Sequence, residues 1–180
     1  SLSIFLAPRE NQAVLNGLYT AFYSVLKRHG GYLNKIEGDS LMFHFGGVID
    51  PVANKMEPEE AKRHVVRELF YTCVEMQRVC ALFNEANKNF LMQGESGETR
   101  AVMKRAFSII DELRNNPALE NATGALFQIR IRIGASFGRV TVGNFGPSGA
   151  KQWDVIGPAV IEAKRMESTA PVGGLRISKL

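Results

Sequence analysis

The sequence predicts an α+β fold in which helices cover one side of a mainly antiparallel sheet. Three observations carry this. Extended stretches come in pairs separated by glycine turns, amphipathic helical stretches intervene, and the order runs helix, strand pair, helix, strand pair, strand, helix, strand. At 180 residues, 45% apolar and 22% charged, the chain is long enough to bury a core as one domain without disulfide staples.

Each element follows from its own pattern. Over residues 9–29, Leu15, Leu18, Phe22, Val25 and Leu26 recur at helical spacing, and Gly30 stands where a left-handed cap ends the helix. Tyr32–Glu37 and Ser40–Phe45 then flank a Gly38-Asp39 turn, predicting a hairpin. Gly46-Gly47 and Pro51 mark a loop. A long helix follows, with Val65, Leu69, Cys73, Met76, Cys80 and Phe83 as its apolar stripe and Glu57, Glu59 and Glu60 at its positive end. Residues 93–127 are an inserted helical segment. It opens on a polar break from Gln93 to Glu98, sets Met103, Phe107, Ile110 and Leu113 on one face to pack on the body, and stops at Asn115-Asn116-Pro117.

Ile129, Ile131 and Ile133 alternate with Arg130 and Arg132, predicting a half-buried strand. Val140 and Val142 form its return, making a second hairpin-like stretch from Ile129 to Phe145. A strand at Asp154–Ile156 precedes a helix opened by Pro158, with Val160, Ala163 and Met166 on one face and Ile161 and Arg165 on another. Leu175–Ser178 is a last strand.

Net charge is +4, with lysine and arginine scattered, so no nucleic-acid partner is indicated. Cys73 and Cys80 stand two helical turns apart, roughly 10 Å along the axis and too far for a disulfide. Buried free thiols and the lack of an apolar run of spanning length predict a cytoplasmic chain and leave open a membrane anchor elsewhere in the parent protein. The Asn121-Ala122-Thr123 acceptor pattern carries no weight in that compartment.

Single residues are weak guides to chemistry here. Gly-Asp at a hairpin tip is first a turn, and Lys35, Asp154 and Arg165 each have an ordinary surface reading. His29, His44 and His64 lack metal-ligand spacing. The run Gly143–Lys151 is not a phosphate loop, because it lacks the Gly-Lys-Ser/Thr ending and a strand-to-helix setting.

Joint occurrence is stronger. Gly30-Gly31-x3-Lys35-x2-Gly38-Asp39, then Ile133-Gly134-Ala135-Ser136-Phe137-Gly138, then Asp154-Val155-Ile156-Gly157-x2-Val160-x2-Ala163-x-Arg165, in that order, resembles the catalytic domain of class III nucleotidyl cyclases. The resemblance implies a ferredoxin-like sandwich that acts as a homodimer with the active site at the interface. It implies conversion of ATP to 3′,5′-cyclic AMP and pyrophosphate with two divalent cations, Mg²⁺ or Mn²⁺. By position, Asp39 matches a metal-binding aspartate. Lys35 and Asp154 match the base-reading pair, with Ile156 beside them in the substrate site. Arg165 matches the catalytic cation of the transition state, and Lys151 is a further candidate for the triphosphate.

Three departures accompany the match. The family's first metal aspartate is expected just upstream of Ser1, and its late lysine beyond Leu180. Its ribose-orienting asparagine is replaced by Ile161, which cannot hydrogen-bond. The alternative reading is a catalytically impaired cyclase-homology domain that binds nucleotide or dimerises within a larger protein, where regulatory domains are possible partners. A diguanylate cyclase shares the glycine-acid hairpin, but the block from Asp154 to Arg165 argues against it.

Overall fold

The computed structural model describes residues 6–84, 96–117 and 128–179. It has α1 (Pro8–Arg28), β1 (Tyr32–Glu37), β2 (Ser40–His44), a 3₁₀ turn (Ala53–Lys55), α2 (Pro58–Asn84), α3 (Gly97–Arg114), β3 (Ile133–Ala135), β4 (Thr141–Phe145), β5 (Gln152–Ile156), α4 (Pro158–Thr169) and β6 (Leu175–Ile177). The mixture of helices with mainly antiparallel strands is the α+β class the sequence predicts: β1–β2 and β4–β5 are antiparallel ladders, and β3–β6 is parallel. The chain groups into two compact units, Ser1–Ser24 with Arg78–Ile129 and Val25–Gln77 with Arg130–Leu180.

In the first unit α1 begins on half of a capping box, the backbone N–H of Ala7 donating to the Glu10 carboxylate at 2.9 Å. Glu10 is buried and takes a second partner, Arg105 of α3, at 3.1 Å. The apolar core comprises Val14, Leu18 and Phe22 of α1, Cys80 and Phe83 of α2, and Met103, Ala106, Phe107 and Ile110 of α3. Val14 takes the fully buried position where the periodicity suggests Leu15, which is half-buried. The α3 face expected to pack does so, Phe107 meeting Phe83 edge-on with ring centroids 5.7 Å apart. Residues 93–95 and 118–127 of the inserted segment and the Leu113 side chain lie outside the described residues.

The second unit contains every site residue named above. Helix α1 ends as its glycines require. Gly30 takes φ +74°, its N–H reaches the Lys27 carbonyl, and the Gly31 N–H reaches the Leu26 carbonyl, a Schellman cap. The cap delivers the chain directly into β1. The adjacent His29 is wedged between two carboxylates of α2, with Nδ1 2.9 Å from Glu68 and Nε2 3.1 Å from Glu75. Burial alone would depress its pKa, but the hydrogen bonds to Glu68 and Glu75 outweigh that and raise it above 6.5; the same contact holds Glu68 below 4.5.

The His29 contribution is therefore fully present below 6.5 and is lost as pH rises through the raised value. The Glu68 contribution is present above 4.5 and is lost as pH falls through its lowered value. Urea midpoints are expected to decline as pH rises from about 6 to about 9, and His29→Gln to flatten that decline. An unchanged slope in the variant would sink the assignment.

Two strand expectations are corrected. The ladder at Ile129–Ile133 is limited to Ile133–Ala135. The alternation is present in burial, but the backbone of Ile129 is taken by the Asn84 side chain, which donates to its carbonyl and accepts from its N–H, both at 2.8 Å. Gln77 likewise donates to the Ile131 carbonyl at 3.2 Å. Nor do β3 and β4 form a hairpin. β3 pairs in parallel with β6, and β4 pairs with β5 across residues 146–151. The glycine-rich run thus joins strand to strand, in keeping with its rejection as a phosphate loop.

Helix α4 lies against β3 at Gly134, where an added Cβ would collide with the backbone nitrogen of Glu167 and the carbonyl oxygen of Ala163. Arg132 and Arg176 donate to the last carbonyls of α4, Ser168 at 3.4 Å and Thr169 at 2.9 Å, where the helix dipole favours cations.

Candidate active site

The hairpin β1–β2 and strand β5 build the site. β1 carries a bulge: Leu33 pairs with Phe43 and Lys35 with Met42, leaving Asn34 as the extra residue. In a regular strand Asn34 and Lys35 would point to opposite faces. Here both side chains reach Asp154 at the middle of β5. Lys35 Nζ donates to Asp154 Oδ2 at 3.1 Å, and Asn34 Nδ2 donates to Oδ1 at 2.8 Å. The Val155 backbone N–H adds a third donor, to Oδ1 at 2.7 Å. These bonds, from Asn34 first, then Val155 and Lys35, hold the Asp154 carboxyl below its ordinary value, so it is an anion at neutral pH.

Lys35 and Asp154 remain reachable, with 40% and 28% of their side-chain surfaces exposed. Lys35 also has Glu37 at 3.7 Å. The pair joins residues 119 positions apart.

Asn34 is the residue that sequence reasoning missed. Its signal was present but faint: a residue type disfavoured in strands, directly beside the candidate lysine. Its Oδ1 is buried without a partner. Such an orphan costs about 1–3 kcal/mol, which packing alone does not explain.

The other candidates are placed but not gathered by contacts. Asp39 is exposed at the β1–β2 turn and, among the described residues, its carboxylate has no hydrogen bond or ion pair. Lys151 is exposed immediately before β5, and Ile156 closes β5, pairing with Thr141. Arg165 lies on the exposed face of α4, one turn after Ile161, which is 58% exposed. The two faces expected of this helix are as the sequence predicts, with Val160, Ala163 and Met166 half-buried.

Among the described residues no group of three or more His, Cys, Asp or Glu side chains gathers to hold a metal ion. Asp39, a carboxylate exposed at the hairpin tip with no partner among the described residues, offers a hard oxygen donor. That donor fits Mg²⁺, which binds through one or two carboxylates together with water and substrate phosphates. Asp39 would hold it from the turn.

Comparison with known proteins bears on the family and the fold. No curated protein matches the chain. Among solved structures it is similar to the guanylyl cyclase Cya2, at 22% identity and TM-score 0.57, with 98% of this chain and 66% of that one covered. It is similar to the adenylyl cyclase CyaB from P. aeruginosa, at 20% identity and TM-score 0.60, with coverages of 98% and 69%. The guanylate cyclase domain of RhGC from Catenaria anguillulae, in complex with GTP, matches at 23% identity and TM-score 0.50, with coverages of 96% and 68%. The chain thus spans about two thirds of the length of these structures. The profile of the adenylate and guanylate cyclase catalytic domain matches residues 2–180. With a profile match over nearly its whole length and the same fold, the chain belongs to that family, the class III nucleotidyl cyclases.

Proposed function

We propose that the chain is an adenylate cyclase catalytic domain that converts ATP to 3′,5′-cyclic AMP and pyrophosphate. One observation carries the choice of base: an ammonium and an ionised carboxylate held side by side, Lys35 Nζ to Asp154 Oδ2 at 3.1 Å. Adenine offers a ring acceptor at N1 beside an amino donor at N6, which Lys35 and Asp154 satisfy. Guanine offers a donor at N1 beside an acceptor at O6 and meets the wrong partner twice. Each mismatch costs about 1–3 kcal/mol. The similar structures include guanylyl and adenylyl cyclases alike, so this pair, not the fold, supports ATP.

In the reaction the ribose 3′-oxygen loses its proton and bonds to the α-phosphorus, while the bond to the β-phosphate oxygen breaks and pyrophosphate leaves. Orientation is the chief demand, and the base pocket provides one anchor for it. Arg165 stabilises the negative charge on the α-phosphoryl oxygens in the transition state, and Lys151 neutralises the triphosphate. Two cations, Mg²⁺ or Mn²⁺, held in part by Asp39, would supply Lewis-acid stabilisation of the phosphate oxygens.

A second copy completes the site as a homodimer. The exposed Phe145 and Ile156, which the β4–β5 register places on one face together with Asp154, support a self-associating face. The same reading puts the chain in the cytoplasm, supported by Cys73 and Cys80, both buried and free. Among the described residues no helix is long and apolar enough to cross a membrane. Regulatory domains of the parent protein are further proposed partners.

A specific residue favours a second reading. Ile161 offers no hydrogen bond to a ribose, which suits a nucleotide-binding or dimerising module of low activity. Purified protein with Mn²⁺ and either ATP or GTP separates the two. Cyclic AMP and pyrophosphate from ATP, well above cyclic GMP from GTP, is the expected result. Tight ATP binding without product would favour the module, and preference for GTP would overturn the base assignment. Lys35→Glu combined with Asp154→Cys is expected to lower the ATP-to-GTP ratio of kcat/KM about 10- to 100-fold. An unchanged ratio would remove both residues from base recognition.

A further inference from the structure

We propose that Asn34 is a positioning residue that sets base specificity through Asp154, a role that rests on the cyclase reading above. Two observations separate it from a strand residue kept for packing. The bulge that makes residues 34 and 35 together oppose Met42 is what turns the amide toward Asp154. The amide is also half-used: Nδ2 donates to Asp154 Oδ1 at 2.8 Å and lies 3.5 Å from Met42 Sδ, while Oδ1 is buried with no partner. An apolar side chain would fill the position without stranding a carbonyl oxygen. What the amide contributes is its N–H on the carboxylate.

The consequence is an asymmetric anion. Oδ1 already accepts from Asn34 and from the Val155 backbone, which fills its lone pairs. Oδ2 accepts from Lys35 and keeps one lone pair for a ligand. The site therefore presents a single acceptor beside an ammonium, the complement of a purine edge with a ring acceptor beside an exocyclic amino group. Without the Asn34 N–H the carboxyl is freer to rotate and easier to protonate. A rotated carboxylate no longer aims a free lone pair at the exocyclic amino group, so the preference for that group over a keto oxygen falls. The charged groups nearest to it are Lys35 and, beyond that, Glu37.

The test compares the full chain with Asn34→Leu, Asn34→Ala, Asp154→Ala and the Asn34→Leu/Asp154→Ala double variant. Turnover and equilibrium binding are measured with ATP and with GTP, and the Asp154 carboxyl is titrated by carbon NMR where it is present. Both Asn34 variants are expected to lower the ATP-to-GTP ratio about tenfold, mainly through a higher KM for ATP, and to move the Asp154 titration upward. In the Asp154→Ala background, Asn34→Leu should leave the ratio unchanged. An equal loss for both nucleotides, an additive double variant, or an unmoved Asp154 titration overturns the assignment. Wild-type protein that binds ATP but cyclises neither nucleotide overturns the cyclase reading instead, and the binding ratio and the titration then decide Asn34.

Discussion

Asp39→Ala is expected to lower cyclic-nucleotide formation about 10³-fold while leaving the thermal midpoint close to that of the parent protein. The large effect follows from the proposed role. A carboxylate that helps hold a divalent cation on the phosphates governs several kcal/mol of transition-state stabilisation, and each 1.36 kcal/mol is a factor of ten. The small effect follows from the structure. Asp39 is exposed at the β1–β2 turn and its side chain has no partner among the described residues, so substitution there stays within about 0.5 kcal/mol of neutral. Steady-state kinetics at several Mn²⁺ concentrations, with differential scanning fluorimetry, measure both. Retained turnover would refute the metal assignment, and a collapsed midpoint would show that the turn carries structure instead.

Gly134→Ala is expected to do the reverse, lowering stability first. One methyl group on Gly134 runs into the backbone of α4 at Glu167 and Ala163, and backbone cannot rotate aside as a side chain can. The helix must lift from β3, a strand of only three residues whose neighbours Ile133 and Ala135 are buried. Overpacking of this kind costs about 1–3 kcal/mol, or roughly 2–12 °C in midpoint for a chain of this size. Gly97→Ala is the control. It meets nothing within 4 Å at the start of α3 and should be neutral or slightly stabilising. Equal midpoints for the two variants would mean that α4 is not seated on β3 as described. Because α4 also carries Arg165, activity in Gly134→Ala should fall with the packing.

The local features were the legible ones. Apolar spacing from Leu15 to Leu26 located α1, and Gly30-Gly31 located its cap, because a helix and its stop signal lie within one stretch of sequence. The stripe from Cys73 to Phe83 was similarly explicit, and all four of its members, Cys73, Met76, Cys80 and Phe83, are buried. Pairing was less accessible. Ile129 and Ile131 alternate like strand residues, yet Asn84 and Gln77, some 45 and 54 residues away, take their backbone groups. The partner of β3 is β6, about 40 residues on, and nothing in either triplet names the other.

The site divides along the same line. Lys35 and Asp154 were identified through family resemblance, and no spacing rule would join them over 119 residues. Asn34 escaped altogether, because an extra residue in a strand leaves no mark in the order of polar and apolar positions.

The cysteines of α2 give the chain a built-in gauge of its own opening. Burial pushes Cys73 up to about 12 and Cys80 up to about 11, so at neutral pH neither thiol attacks an alkylating reagent while its surroundings stay closed. Cys73 belongs to one compact unit and Cys80 to the other. Their separate modification rates, followed by mass spectrometry of the peptides, would time the loosening of each unit without any introduced label.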